Sequence, residues 1–333
     1  MNSSCSDFLN LQAMRKSIFH LIVLSFAILP ALAQTANRKA GPSQYAQMLG
    51  PLPDKNLAEI ADTLTTPFSD KREKALAIYS WIARNISIDP KATRGNDKSK
   101  SEPVLTIRFR KSTPHGFALL YQEMASLSGL RCLTIEGYTR SGTESMEEKP
   151  EEPNHSWNVV QLGQSPADWF YVDAAKGSGY LDHKQLKFQP RYSEGYFFTS
   201  KQLFDRDHFP ENKAWQLGPN PPSGMNQFMN IPVLHSLAFE AGMQTLEPSP
   251  GMLKIKMNNW MQFRYRFNNA DSIYLVELLM GTENTKNKPQ PMNFNFKSGE
   301  LSFEFNFKQD FEGPLQVRVN ERELCTYLLK VEE

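Results

Sequence analysis

Two side chains of this sequence could share a proton in catalysis. His155 lies in Asn154-His155-Ser156-Trp157-Asn158, and Asp173 ends Phe170-Tyr171-Val172-Asp173. An imidazole held by a carboxylate is the acid–base half of a covalent acyl-transfer site. The other half is a nucleophile. A helix N-terminus suits it, because backbone N–H groups and the macrodipole lower the pKa of a thiol placed there. The segment Arg110-Lys111-Ser112-Thr113-Pro114-His115-Gly116-Phe117-Ala118 precedes both and opens a helix. The order of helix start, histidine and aspartate fits acyl transfer, but the helix start carries Pro114 and no thiol.

The elements that must position these groups are legible as periodicities. Asp70 and Glu73 are spaced as a capping box,. Ala75, Ile78, Tyr79 and Ile82 follow at spacings of three and four, which predicts a helix to about Asn85 with Trp81 on its flank,. A second helix starts near Pro114 and buries Phe117, Leu120, Tyr121, Met124 and Leu127, and Gly129 stops it,. Strands are expected from Cys132 to Tyr138, Ser156 to Leu162 and Trp169 to Val172. Ser141 to Pro153 carries Glu144, Glu147, Glu148, Glu151 and Glu152. It reads as a solvated acidic loop, or alternatively as a guard that selects basic ligands for a cleft. After the breaker cluster Gly218 to Gly224 and beyond Ile231 the apolar period becomes two, as in Met292, Phe294 and Phe296, then Leu301, Phe303, Phe305 and Phe307. About seven short strands in about 100 residues predict a β-sandwich.

The chain has 333 residues, 40% hydrophobic, enough for two cores,. Lys and Arg number 37 against 36 Asp and Glu, so nothing in the charge favours nucleic acid or an anionic membrane surface,. Arg15-Lys16, the apolar run Ile18 to Leu29 and Ala31-Leu32-Ala33 follow the order of a secretory signal, with cleavage before Gln34 and Met14 as a plausible start,. Export to a periplasm or outside the cell is therefore expected, with no integral membrane segment after cleavage. Cys132 and Cys325 would remain, and could form one bridge,.

From about Lys74 to Leu217 the chain resembles a transglutaminase-like domain of the papain-fold superfamily, closest to the kyphoscoliosis-peptidase type. The motifs are Ile78-Tyr79-Ser80-Trp81-Ile82, Gly116-Phe117-Ala118-Leu119-Leu120, Glu136-Gly137-Tyr138, Asn154 to Asn158, Tyr171 to Ala175 and His208-Phe209-Pro210. The family places glycine, an apolar residue and the catalytic cysteine at the helix start, with another glycine two residues on. Counting back from Gly116 puts Pro114 at the cysteine position. His155 and Asp173 match the family's histidine and aspartate.

The resemblance implies an α+β papain-like transglutaminase core, here followed by an all-β sandwich-like domain. The expected division is a signal peptide over 1–33, a polar lead-in over 34–55, the transglutaminase-like domain over 56–230 and the β domain over 231–333. Pro114 suits the first turn of a helix, where its missing N–H costs nothing, so it can keep the fold while removing the chemistry. The chain reads as a pseudoenzyme that holds a peptide, protein or cell-wall-type ligand in the former substrate cleft, with His115, Trp157 and Tyr138 as candidate ligand contacts. Two alternatives stand beside this. One is an active hydrolase or acyl transferase using Ser112, Thr113 or His115, and the other is a scaffold acting through its β domain. Ser112 and Thr113 also read as helix caps, Trp157 as core, Cys132 as a buried apolar-like residue, and His208 as a brace for the segment closing the domain. A metal bound by His115, His155 and Asp173 lacks close His or Cys spacing, so no metal and no cofactor is expected.

Overall fold

A computed structural model describes residues 40–140, 149–182, 186–270, 272–281 and 287–333. The expected signal segment and most of the acidic loop lie outside the described residues. Residues 42–333 form one unit.

Its first part is helical. Helix α1 (Pro42–Leu49) and α2 (Leu57–Thr65, capping box Asn56/Glu59) precede α3 (Lys71–Asn85). Asp70 caps α3 by accepting from the Glu73 backbone N–H, as its sequence predicts. The expected polar lead-in thus holds a packed helix. Ala46 of α1 is fully buried, Tyr45 meets Phe68 edge to face at 5.7 Å, and the Trp81 indole N–H donates to the Gly50 carbonyl at 2.7 Å. Only Tyr45, Ala46 and Leu49 of its eight residues meet the core, too short an apolar run to show a helical period in the sequence,.

Strand β1 (Ser87–Ile88), α4 (Pro90–Arg94), α5 (Pro103–Phe109) and β2 (Lys111–Ser112) lead to the central helix α6 (Pro114–Leu127). Pro114 is its first residue and is buried, and Gly129 follows its end in the left-handed region, φ +74°,. Next come β3 (Arg131–Thr139), β4 (His155–Gln161), β5 (Trp169–Val172), α7 (Ala174–Ser178), β6 (Gly179–Asp182), β7 (Lys187–Pro190), α8 (Lys201–Asp207) and β8 (His208–Pro210). The antiparallel sheet runs β5-β4-β3-β8. One face packs on α6, where Asn158 Nδ2 donates to the Ala118 carbonyl at 2.9 Å. The other buries Ile135, Trp157, Val159, Tyr171 and Phe204. Gly137 pairs with His155 in register, and a Cβ there would lie 2.4 Å from the Phe209 carbonyl and 2.6 Å from the Trp157 ring. Its bare backbone lets β8 close against β3.

Helix α9 (Met225–Met229), β9 (Val233–Leu234) and α10 (Ser236–Glu240) connect to the all-β part. This comprises β10 (Met243–Glu247), β11 (Met252–Lys256), β12 (Trp260–Phe267), β13 (Val276–Met280), β14 (Gln290–Pro291), β15 (Phe294–Lys297), β16 (Glu300–Asn306), β17 (Phe311–Val319) and β18 (Arg322–Glu332). One sheet has the order β10-β12-β16-β15 and the other β11-β18-β17-β13-β14, with β9 beside β18. The period-two apolar residues face each other across a core that includes Phe263, Tyr265, Phe303, Val317, Tyr327 and Leu329,. The α+β core followed by an all-β part agrees with the sequence.

Arg140 ties the two parts together. It is 2% exposed and sits over the Phe228 ring at 4.6 Å. Its guanidinium donates to the carbonyls of Arg206 (3.1 Å), Met229 (3.3 Å), Pro232 (3.4 Å) and Ile231. Arg140→Met keeps the apolar stem but strands four carbonyls, and should cost about 3 kcal/mol of unfolding free energy in urea titration.

Candidate functional site

His155 begins β4 and Asp173 follows β5 directly, so sheet pairing sets their separation. His155 Nε2 lies 2.6 Å from Asp173 Oδ2. Asp173 is also the N-cap of α7, where its Oδ1 accepts from the Lys176 backbone N–H at 2.9 Å. A second imidazole converges on the same oxygen: His208 Nε2 is 3.0 Å from Asp173 Oδ2. Burial alone would raise the Asp173 carboxyl. The charge and hydrogen bond of His155, then the bond and charge of His208, hold it far below the usual carboxylate range,. Asp173 is therefore ionised, and both Nε2–H groups donate to it. His155 is left with Nδ1 as its open ring atom, since no described group hydrogen-bonds it. That is the nitrogen an acyl-transfer base would turn toward a nucleophile.

His208 reads from sequence as a brace, and the structure makes it a direct partner of the site aspartate. It is 0% exposed and sandwiched on Phe204 at 3.7 Å, with Trp157 edge-on at 5.0 Å. Burial lowers its pKa to about 4 despite the pull of Asp173 and Asp207, so at neutral pH it is an uncharged donor. Behind it Asp207 pairs with Lys176. The available signal was His208-Phe209-Pro210 among the family motifs, but only the register Thr139↔His208 across β3 and β8 places it at Asp173.

His208 gives a pH prediction. Between about 4 and 6.5 the unfolded chain binds its proton and the folded chain does not, so stability rises with pH across that window and is lost on acidification,. Asp205 opposes it. Burial raises its carboxyl to about 6, despite hydrogen bonds from the Tyr171 hydroxyl (2.6 Å) and the Gly218 N–H (2.7 Å). The folded chain then keeps a proton that the unfolded chain has lost, and this contribution disappears as pH rises through about 6. His208→Asn should flatten the acid limb of a stability–pH curve measured in urea, and Asp205→Asn should steepen it.

Pro114 heads α6 with no ionisable group. The hydroxyls beside it are committed elsewhere. Thr113 occupies the N-cap position but makes no side-chain cap bond. Its Oγ1 pairs with Ser101 Oγ at 3.0 Å, while Thr106 donates to Ser112 Oγ at 3.2 Å. The capping expected of these two residues is thus replaced by tertiary bonds under the helix start. Gly116 permits that packing, because a Cβ there would lie 1.9 Å from Ser112 Oγ.

His115 does not join His155. Side chains alternate along a strand, so His155 and its neighbour Ser156 face opposite sides of the sheet. His115 Nδ1 sits on the helix-facing side, 3.2 Å from Ser156 Oγ and 3.2 Å from Glu136 Oε1. Burial lowers its pKa, partly offset by Glu136. Of the other candidate contacts, Trp157 is 1% exposed and belongs to the core beside His155 and His208. Tyr138 is half-buried opposite Phe209, and burial, then Glu211 and Glu152, raise its hydroxyl. Among the described residues the donor set spaced for a metal is His155, Asp173 and His208, all within 4.8 Å, and not the set with His115. Both Nε2–H groups already point at Asp173, so a cation there would have to displace two protons.

Among the described residues, neither Cys132 nor Cys325 substitutes for the missing thiol. Both are free and buried. Burial pushes the Cys132 thiol well above its ordinary value and the Cys325 thiol up to about 12,.

Residues 58–174 match the model of the transglutaminase-like superfamily. The chain is 34% identical to the kyphoscoliosis peptidases of Mus musculus and Homo sapiens over 196 residues, which is 59% of this chain and 29% of each relative. It is 26% identical to hillarin of Drosophila melanogaster over 193 residues, 54% of this chain and 23% of that one. The chain thus spans less than a third of the length of these relatives. It carries a transglutaminase-like domain of the kyphoscoliosis-peptidase type.

Proposed function

We propose that this transglutaminase-like chain is a catalytically inactive binding protein, exported through its N-terminal signal, that holds a peptide, protein or cell-wall-type ligand in the former substrate cleft. The observation that carries the reading is Pro114, buried at the first position of the helix whose start must supply the nucleophile. Covalent acyl transfer needs an attacking atom there, and removing it abolishes the step rather than slowing it. The supporting geometry is the His155–Asp173–His208 cluster, which keeps one imidazole nitrogen open while fixing the rest of the ring. A fixed ring with an open nitrogen can accept a hydrogen bond from a ligand amide.

The rival reading, an enzyme with an unusual nucleophile, loses Ser112 and Thr113 to buried hydroxyl pairs. Its best remaining hydroxyl is Ser156, beside His115, but Glu136 competes for the same ring nitrogen. In the scaffold reading the β domain makes the contacts and the cleft stays empty.

Carbethoxylation of His155, followed by peptide mass mapping, separates these readings. The probes are dimethylcasein, as an extended protein chain, and soluble muropeptides, as cell-wall fragments. Slower modification of His155 in the presence of either supports the cleft as a binding site. Unchanged modification with both would overturn it.

A further inference from the structure

The two sheets of the β domain differ on their outer faces. On the sheet containing β18 the outward Gln316 and Thr326 are buried, at 8% and 4% exposure, and His235 caps Thr326 Oγ1 at 2.8 Å. The outer face of the β10-β12-β16-β15 sheet is open. Along β12 the inward Phe263, Tyr265 and Phe267 are buried, and the alternate residues Trp260, Gln262 and Arg266 are exposed.

Trp260 is 66% exposed. In register beside it on β16 stands Asn306, and next to that pair Gln262 stands opposite Glu304. Asn306 donates through Nδ2 to the Asn258 carbonyl at 2.9 Å and its Oδ1 is buried, so the exposed amide beside Trp260 is that of Gln262, whose Oε1 accepts from Arg264 at 3.3 Å and whose NH2 faces solvent. Further along, Arg264 is already neutralised by Glu247 (3.5 Å) and Glu300 (3.7 Å). The outward charges balance, Arg264, Arg266 and Lys297 against Glu247, Glu300 and Glu304, and among the described outward side chains of this sheet Trp260 is the one large aromatic ring.

We infer that this outer face binds a neutral glycan chain, with Trp260 as the stacking platform. A sugar ring offers an apolar C–H face and a rim of hydroxyls that both donate and accept. An indole matches the first, and amides and carboxylates match the second. Outward side chains repeat at about 6.8 Å along a strand and about 4.8 Å across the sheet, the scale of one sugar ring. The charge balance selects against a polyanion, whose binding needs an excess of cations. A protein interface would need an apolar, charge-depleted centre, and here one ring stands among charged side chains of both signs,.

The test is native electrophoresis of the mature chain through gels containing hydroxyethylcellulose, laminarin, galactomannan or glycol chitin, with heparin as the anionic comparison. Retardation by at least one neutral polymer is expected. Trp260→Ala should weaken it roughly tenfold or more, and Trp260→Phe should weaken it less, because a smaller ring still stacks. Both variants should keep the wild-type melting temperature, since the ring is largely exposed. No retardation by any neutral polymer, retardation by heparin alone, or retardation that survives Trp260→Ala would each overturn the inference.

Discussion

Pro114→Cys is expected to create a reactive thiol where the wild-type chain has none. The new side chain would stand at the first position of α6, among unsatisfied backbone N–H groups and at the positive end of the helix, which favours the thiolate. Its ionisation should fall roughly one to several pH units below the ordinary value near 8.5. The substitution should fold, because the N–H it adds is one that the first turn leaves unpaired in any case. Cys132 and Cys325 are buried with raised thiols, so alkylation of a chain beginning at Gln34 reports on position 114 alone. The measurement is the rate of iodoacetamide modification against pH, followed by peptide hydrolysis and amine incorporation. Rapid alkylation at neutral pH, with turnover roughly a hundredfold or more over wild type, is the expected result. A thiol that ionises near 8.5 and stays inert would mean that the cleft has lost more than its nucleophile.

Asp173→Ala should be the most damaging single change to the fold around the site. The carboxylate is 1% exposed, accepts from two imidazoles and caps α7. Its removal leaves two buried Nε2–H donors without their acceptor and the α7 N-terminus without its cap. Losing one partner of a buried hydrogen-bonded network costs roughly 3–5 kcal/mol, and the cap adds about 1 kcal/mol. Urea denaturation should show a loss in that range. Asp173→Asn should lose less, because a side-chain oxygen can still cap Lys176 N–H. A change under about 1 kcal/mol in Asp173→Ala would contradict the account of Asp173 as the hub of the site.

The parts legible in the sequence are those decided locally. Asp70, the spacing of Ala75, Ile78 and Ile82, and Pro114 at a helix start each act within a few residues, and α3 and α6 begin where these predict. The alternation of Phe294, Phe296, Leu301 and Phe303 gives the strands of the second part for the same reason. The His155–Asp173 pairing was legible through the family motif and not through spacing. What was hidden depends on tertiary closure. His208 reaches Asp173 because β8 docks beside β3, a contact that no local pattern encodes. His115 and His155 part company because the His115 ring, on α6, reaches the Ser156 side of β4 while His155 faces the other side, and no local pattern encodes that register. Thr113 reads as a cap, yet its hydroxyl turns to Ser101, twelve residues back.

Turnover by the wild-type chain decides whether Pro114 has silenced the site. Peptide hydrolysis and amine incorporation into dimethylcasein would be followed for wild type and His155→Ala, both beginning at Gln34, under identical conditions. Both should be indistinguishable from buffer, because no nucleophile stands at the start of α6. Wild-type turnover that disappears in His155→Ala would contradict this, and would show that another group attacks in place of the missing thiol.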